Sequence, residues 1–547
     1  MNDLQKYELP VAQQLTADYI EGKSGVIEAL YGYYSGHEAD WALRSKRLDE
    51  SKDKRASSAE LAAVLRSYMS KYELSEQQQA NLLQIEQGAQ VVVGGQQAGL
   101  WSGPLLVMHK AVSILQAAAS ASEQLNRPIV PVFWIAGEDH DWDEVNHTYI
   151  VAADQSLKKL SLAKTTDGRT SVSRTIITQE QWQEAIAELN EQLPGSEFKE
   201  GLIAQLSTIA EQSTSLSDFF AAMMHTLFAS YGLLFIDSDA EQLRALEKPM
   251  FKEILKHNDQ LEAAYAEAAS QVKEMGYTLQ ADVNAGSSNL FVFAEQLGGD
   301  RILLYKSAEG FQDRKGQIQY SYQQLEELIE TNPAAFSNNV LTRPLMQDYV
   351  FPVLATVLGP GEISYWALTG RAFQALDMQM PIIVPRMSYT LIEGIIAKNM
   401  DKYSLSFHDV MGNFQEKKKQ WLQEQDELHI KEQFESVKQQ FTSMYAPLIE
   451  LAGSIQSGLV KLGETNMTKI VEQISYMESK TIDAQEKQFE AAIRQLDRIE
   501  LAIKPGGKPQ ERVLSMISYW NRYDRTWLDS LMQAPYSRTG GHEIVKL

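Results

Sequence analysis

The chain has no cysteine among its 547 residues. That removes disulfides, thiolate metal sites and a cysteine nucleophile together, so any sulfur chemistry must reside in a substrate. No apolar run approaches the ~20 residues of a membrane span. Met1–Pro10 is polar and lacks an apolar signal core, so a cytoplasmic protein is expected. Positive charge is scarce: 50 Lys and Arg stand against 72 Asp and Glu, a net charge of −22. Such a surface repels phosphate backbones and anionic lipid, which argues against nucleic-acid and membrane partners. Several catalytic signatures are missing. The glycines at 95, 99 and 103 match neither the Walker nor the dinucleotide fingerprint, and there is no G-x-S-x-G elbow. Low-complexity runs and solenoid repeats are absent.

What is present is an ordinary globular composition, 44% hydrophobic, in a chain long enough for two to four domains. Residues 1–90 read as helices. Val91–Gly94, Ile129–Ile135, Leu233–Ile236 and Ile382–Val384 are near-continuously apolar, as strands of a parallel sheet covered on both faces are. Helical stretches, Leu105–Ala119 and Phe219–Ser230, alternate with them, predicting a doubly wound α/β core. Its long interruptions read as insertions. The predicted division is 1–150 (N-terminal helices and first part of the core), 151–215 (first insertion), 216–271 (core) and 272–340 (second insertion, small α+β). It continues with 341–390 (core), 391–503 (helical arm) and 504–547 (a tail packing on the core). In the second insertion, Asn289–Phe293 and Arg301–Tyr305 are strand candidates around Gly298-Gly299. In the arm, Ile430, Phe434, Val437, Phe441, Met444, Leu448, Leu451 and Ile455 form an a/d seam, with a kink or break expected at Pro447. A second helix from about Asn466 to Ile503, joined through a turn between Gly453 and Gly463, makes an antiparallel hairpin that is expected to dimerise.

Four segments carry candidate chemistry. In the first, a strand empties through Gly94, Gly95, Gly99 and Gly103 into a helix with Pro104 in its first turn, a layout that offers free N–H groups to an anion. A nucleotide or another anionic small molecule is therefore expected near Gly95. His109 reads as a packed or surface histidine, and Lys110 as a phosphate ligand or a solvated lysine. In the second, Gly-Glu-Asp-His-Asp-Trp-Asp-Glu-Val-Asn-His at 137–147, Asp139 and Asp141 flank His140 at a strand end. That suits proton transfer or grip on an ammonium group. Its His140 and His147 match no zinc spacing, and no metal site is expected. The third holds Asn339, Arg343, Gln347 and Asp348, then Gly359-Pro360-Gly361-Glu362 with Tyr365, then Arg371. Either arginine can fork onto a carboxylate or phosphate, or pair with a structural acid. The fourth, Pro385-Arg386-Met387-Ser388-Tyr389-Thr390, follows the last strand.

Taken together, the pieces resemble the BshC family of bacillithiol biosynthesis. The likeness rests on Gly95-Gln96-Gln97-Ala98-Gly99-Leu100 with Gly103-Pro104, on Trp134 through Asp141, and on Arg343-Pro344 with Gln347-Asp348. Gly359-Pro360-Gly361-Glu362 with Tyr365, Pro385-Arg386 with Ser388 and Thr390, and Gln510-Glu511-Arg512 complete it. The resemblance implies a Rossmann-like core with two connecting-peptide insertions, laid out like a class I aminoacyl-tRNA synthetase, and a coiled-coil arm that forms a homodimer. It implies a ligase joining cysteine to the amine of glucosaminyl-malate, with ATP or ADP as the nucleotide and no metal beyond magnesium accompanying it. In that reading Gly95, Gly99 and Gly103 shape an anion site, and Gln96 and Gln97 supply amide hydrogen bonds. His140 with Asp139 or Asp141 handles the amine's proton. Arg343 and Arg386 neutralise carboxylate or phosphate, and Gln347, Glu362, Tyr365 and Ser388 complete the binding set. Two rival expectations are a nucleotide-binding coiled-coil interaction protein without turnover, and a metal hydrolase built on the Glu138–Asp141 loop.

Overall fold

Apolar runs rich in β-branched residues become the centre of a computed structural model that describes residues 12–164, 168–425 and 429–547. Met1–Pro10 lies outside the described residues. The chain divides into two compact units, one running to Leu391 and including Lys508–Leu547, the other Ile392–Gly507.

The first unit is built on strand β1 (Gln90–Gln96), helix α1 (Leu106–Leu125), β2 (Ile129–Ile135), α2 (Leu216–Phe228), β3 (Leu234–Asp237) and α3 (Glu241–Lys256). It continues with α4 (Arg343–Val350), β4 (Val353–Leu358), α5 (Pro360–Trp366) and β5 (Ile382–Pro385). The strands are all parallel, in the order β5-β4-β1-β2-β3. This is the doubly wound Rossmann arrangement, and the order reverses between β1 and β4. Ligands of such sheets bind beyond the carboxyl ends of the strands at that reversal. The sequence predicts four of these strands. It does not name β4, which pairs with β1 and whose preceding Pro352 carbonyl accepts from the Val91 N–H.

After β2 the first insertion forms an antiparallel hairpin, His147–Val151 with Leu157–Ser161, and two helices, Gln179–Gln192 and Lys199–Glu211. The second insertion holds a five-stranded antiparallel sheet containing Ser287–Ala294, Asp300–Ser307 and Phe336–Asn338. The insertions meet where the Arg301 N–H donates to the Arg169 carbonyl at 3.1 Å and the Arg169 N–H to Asp300 at 2.7 Å.

Taken by itself, the second unit is a helical arm. Helices Ile430–Ile455 and Gly458–Gln488 run antiparallel, with Lys438 to Glu478 at 2.7 Å and Asn466 donating to the Tyr445 hydroxyl at 2.7 Å. Four expectations are corrected here. The turn is Gln456-Ser457; Gly453 and Gly463 lie inside the helices, and a Cβ at Gly463 would come within 2.9 Å of Ile449, so that glycine serves helix contact. Pro447 does not break its helix, and the second helix starts at Gly458 and gives way at Phe489 to a third, Glu490–Ile503. Val437, Met444, Leu448, Leu451 and Ile455, predicted as a seam, remain exposed because the contact register centres on Tyr445 and Ile449. Among the described residues, no helix is long and apolar enough to cross a membrane.

A buried ion triad secures the N-terminal helices to the sheet. Arg44, from helix Glu38–Glu50, pairs with Asp348 of α4 and donates to the Val353 carbonyl of β4, and Arg55 reaches the same carboxylate at 2.8 Å. Removing the carboxylate would strand two buried guanidinium groups. Asp348→Ala is expected to lower stability by about 3–5 kcal/mol, read as a shift in the urea midpoint. An unchanged midpoint would show that the triad is not an anchor.

Candidate active site

At the reversal between β1 and β4 the central group is Lys110, in the second turn of α1 and 1% exposed. Its ammonium donates to the Gly95 carbonyl (2.8 Å), to Gln96 Oε1 (2.9 Å) and to Glu362 Oε2 (2.5 Å). All three protons are thereby used. Burial lowers the lysine's pKa and Glu362 opposes that shift. Burial alone would raise Glu362, but Lys110 and Arg343 hold it below the usual carboxylate range. Glu362 also caps its own helix, accepting from the Gly359 N–H at 2.7 Å. Arg343 donates to the Tyr365 hydroxyl, and its charge reaches both Glu362 and Glu138. Gln347 lies one helical turn beyond Arg343, on the same face of α4. Its amide nitrogen is buried without a hydrogen-bond partner, as are both side-chain amide atoms of Asn338. Orphaned buried amides are costly, which makes each a place for a polar ligand or a water.

Glu138 joins this crevice to the loop after β2. It pairs with buried Arg244 and accepts from the Asn338 N–H at 3.3 Å. One residue on, Asp139 accepts from the Gln97 amide at 2.6 Å, and Gln97 also donates to Glu144 at 2.8 Å. Burial opposes ionisation of Asp139, but Arg301 and Gln97 bring its pKa below the ordinary value. His140 lies between two guanidinium groups. Arg169 contacts its Nε2 at 2.5 Å, and Arg301 contacts its Nδ1 at 3.1 Å, with Asp139 3.5 Å from the same nitrogen. Burial, then Arg301 and Arg169, lower the histidine's pKa, so the imidazole is neutral at neutral pH. A cavity of about 570 Å³ opens here, lined by Asp139, His140, Asp141, Glu144, Lys164 and Arg169.

The structure therefore brings together Gln96, Gln97, Asp139, His140, Arg343, Glu362 and Tyr365. Other predicted groups are placed differently. Gly95, Gly99 and Gly103 are buried, and the helix after them is not an open anion site: the Leu105 N–H donates to the Leu514 carbonyl at 2.8 Å, and Pro104 bridges to Ser515. The C-terminal tail thus covers the helix start. A Cβ at Gly95 would lie 2.5 Å from the Trp134 carbonyl, and one at Gly99 2.9 Å from Gly103, so close backbone packing explains both. Arg386 forks onto Glu511 at 2.7 and 2.8 Å, and Ser388 and His109 also contact that carboxylate. Asp141 accepts from the Glu144 N–H at 3.3 Å, capping a short helix rather than bracketing His140. Arg371 is exposed on Glu267 and Gln271. The sequence gives no sign of Arg169 or Arg301, because both come from the insertions. Lys110 is visible, but its burial is not.

The neighbouring strand end carries a carboxyl pair with divided behaviour. Burial, then Asp239, push Asp237 up to about 7. Asp239 stays low because Arg244 and Arg174 outweigh its own burial. A Cβ at Gly137 would fall 2.3 Å from the Asp237 carboxylate oxygens, so this acid packs directly under the start of the His140 loop. A carboxyl whose folded pKa exceeds its unfolded one stabilises fully below the unfolded value, about pH 4, and that contribution is lost as pH rises through the folded value. Denaturation midpoints are therefore expected to fall between about pH 4 and 7, with Asp237→Asn flattening that slope. An unaltered slope in the variant would contradict the assignment.

Known proteins resemble this chain along its length. The model of the N-terminal Rossmann-like domain of BshC, of bacillithiol biosynthesis, matches residues 2–387, and that of the BshC C-terminal coiled-coil domain matches residues 389–547. Proteins named "Putative cysteine ligase BshC" align over 543 residues, 99% of this chain and 99% of theirs. One from Bacillus cereus is 34% identical, one from Bacillus anthracis 33%, and one from Bacillus thuringiensis subsp. konkukian 32%. A Rossmann sheet, a C-terminal coiled-coil arm and full-length similarity lead to one conclusion: the chain belongs to the BshC family of bacillithiol biosynthesis.

Proposed function

We propose that this protein is an ATP-dependent ligase that joins the carboxyl group of L-cysteine to the amine of glucosaminyl-malate, giving bacillithiol. The observation that supports it most is His140, an imidazole set between Arg169 and Arg301 beside a cavity next to the Rossmann crevice. The relatives named as cysteine ligases favour the same reading. A free carboxylate needs activation before an amine can displace its oxygen, and ATP, when bound, supplies that activation.

The fit of a nucleotide is tested by the protein's own groups. The glycine loop does not offer a phosphate cradle, since the tail covers it. Arg343 and the unpartnered Gln347 amide, on one face of α4, do fit polar, anionic atoms and would hold them. The remaining chemistry belongs to the chain. As the amine nitrogen bonds to the carboxyl carbon, the bond from that carbon to the departing oxygen breaks. The amine's proton passes to His140, whose Nε2 lone pair is released when Arg169 turns to an anionic group. Asp139 then faces the imidazolium from the Nδ1 side. The exposed apolar row of the arm pairs two copies of the chain, and the enzyme works in the cytoplasm.

Purified protein supplied with cysteine, glucosaminyl-malate and ATP is expected to form bacillithiol, detected by mass spectrometry. Ligand binding without turnover would replace this reading with that of an interaction protein. His140→Ala is expected to lower kcat by about 10²–10⁴-fold. Because the neutral imidazole is the active form, wild-type kcat should fall as pH drops through a value below the ordinary histidine pKa. A variant that keeps full kcat would remove His140 from the reaction.

A further inference from the structure

Gln96 and Gln97 are adjacent and chemically identical, yet the structure fixes their amides in opposite senses. Gln96 Oε1 is taken by the Lys110 ammonium, a group that can only donate. That sets the oxygen inward and leaves the NH₂ as the free end. For Gln97 the NH₂ is taken, by the Asp139 and Glu144 carboxylates, which as anions can only accept. That leaves its oxygen as the free end. Both side chains are partly exposed, and neither free end is among the buried polar atoms without partners. Amide orientation is ordinarily ambiguous, but here a cation and two anions remove the ambiguity.

We infer that these two glutamines are an oriented donor and acceptor that sort the two substrates of the ligase reading above, on which this inference rests. Gln96 presents N–H groups at the β1–β4 crevice, beside Glu362 and Arg343, and takes an anionic oxygen, the carboxylate of the acyl donor. Gln97 presents a carbonyl oxygen beside Asp139 and the His140 loop and takes an N–H of the attacking amine. Lys110 is the positioning residue for the first, and Asp139 with Glu144 for the second.

Two substitutions test the sense of each amide without leaving a buried charge alone. Gln96→Glu keeps an oxygen for Lys110 but has no N–H to present. Gln97→Lys keeps a hydrogen-bond donor for Asp139 and Glu144 but has no oxygen to present. Titration calorimetry of each full-length variant with L-cysteine and, separately, with glucosaminyl-malate reads the result, and it needs no turnover. Gln96→Glu is expected to weaken cysteine binding about tenfold or more and to leave glucosaminyl-malate within about twofold, and Gln97→Lys to do the reverse. Variants that weaken both ligands alike, or neither, would overturn the inference, as would an inverted pattern. The ligase reading fails by a different sign: wild-type protein that binds both compounds yet forms no bacillithiol with ATP present. Wild-type protein that binds neither compound defeats both.

Discussion

The ammonium of Lys110 is the point on which the candidate site depends. It sits almost out of reach of water and spends its three protons on a strand-end carbonyl, an amide oxygen and a carboxylate. These partners come from two places in the chain: Gly95 and Gln96 at the end of β1, and Glu362 in the first turn of the helix after β4. One cation thus ties the two strands at the reversal of the sheet, and it does so with the group that orients Gln96. Such a pair is costly to desolvate, and losing either partner leaves a buried charge. The arrangement is therefore stiff.

From this anchor the charges alternate outward. Glu362 is balanced by Lys110 and Arg343, and Arg343 also feels Glu138. Glu138 pairs with Arg244, and Arg301 carries the pattern to Asp139 and His140. At His140 the core contributes Asp139 and Asp141, while the insertions contribute Arg169 and Arg301. A chain with a strongly negative net charge thereby places two guanidinium groups against one histidine. The insertions thus complete the surroundings of His140.

Much of this was legible in the sequence. Continuous β-branched runs revealed four of the five strands, and the Asp139–His140 pair announced itself by its place at a strand end. What could not be read depends on tertiary contact. Lys110 looked as much solvated as functional, because nothing local reports that α1 buries its second turn against β1. Arg386 looked like a ligand group, because its partner Glu511 lies 125 positions away in the tail. The same tail closes the helix start that a glycine loop normally leaves open. In the arm, the apolar repeat was visible, but its pairing register was set by Gly463 against Ile449, a packing constraint that the heptad pattern does not encode.

The most direct test of the account is a crystal structure of the full-length protein with cysteine and glucosaminyl-malate bound. The account predicts the cysteine carboxylate on the Gln96 amide nitrogen, with Lys110 still clamped between Gln96 and Glu362. It also predicts the sugar's amine between the Gln97 oxygen and His140. Both compounds seated away from the β1–β4 crevice, or a Gln96 amide turned with its oxygen toward the ligand, would contradict it.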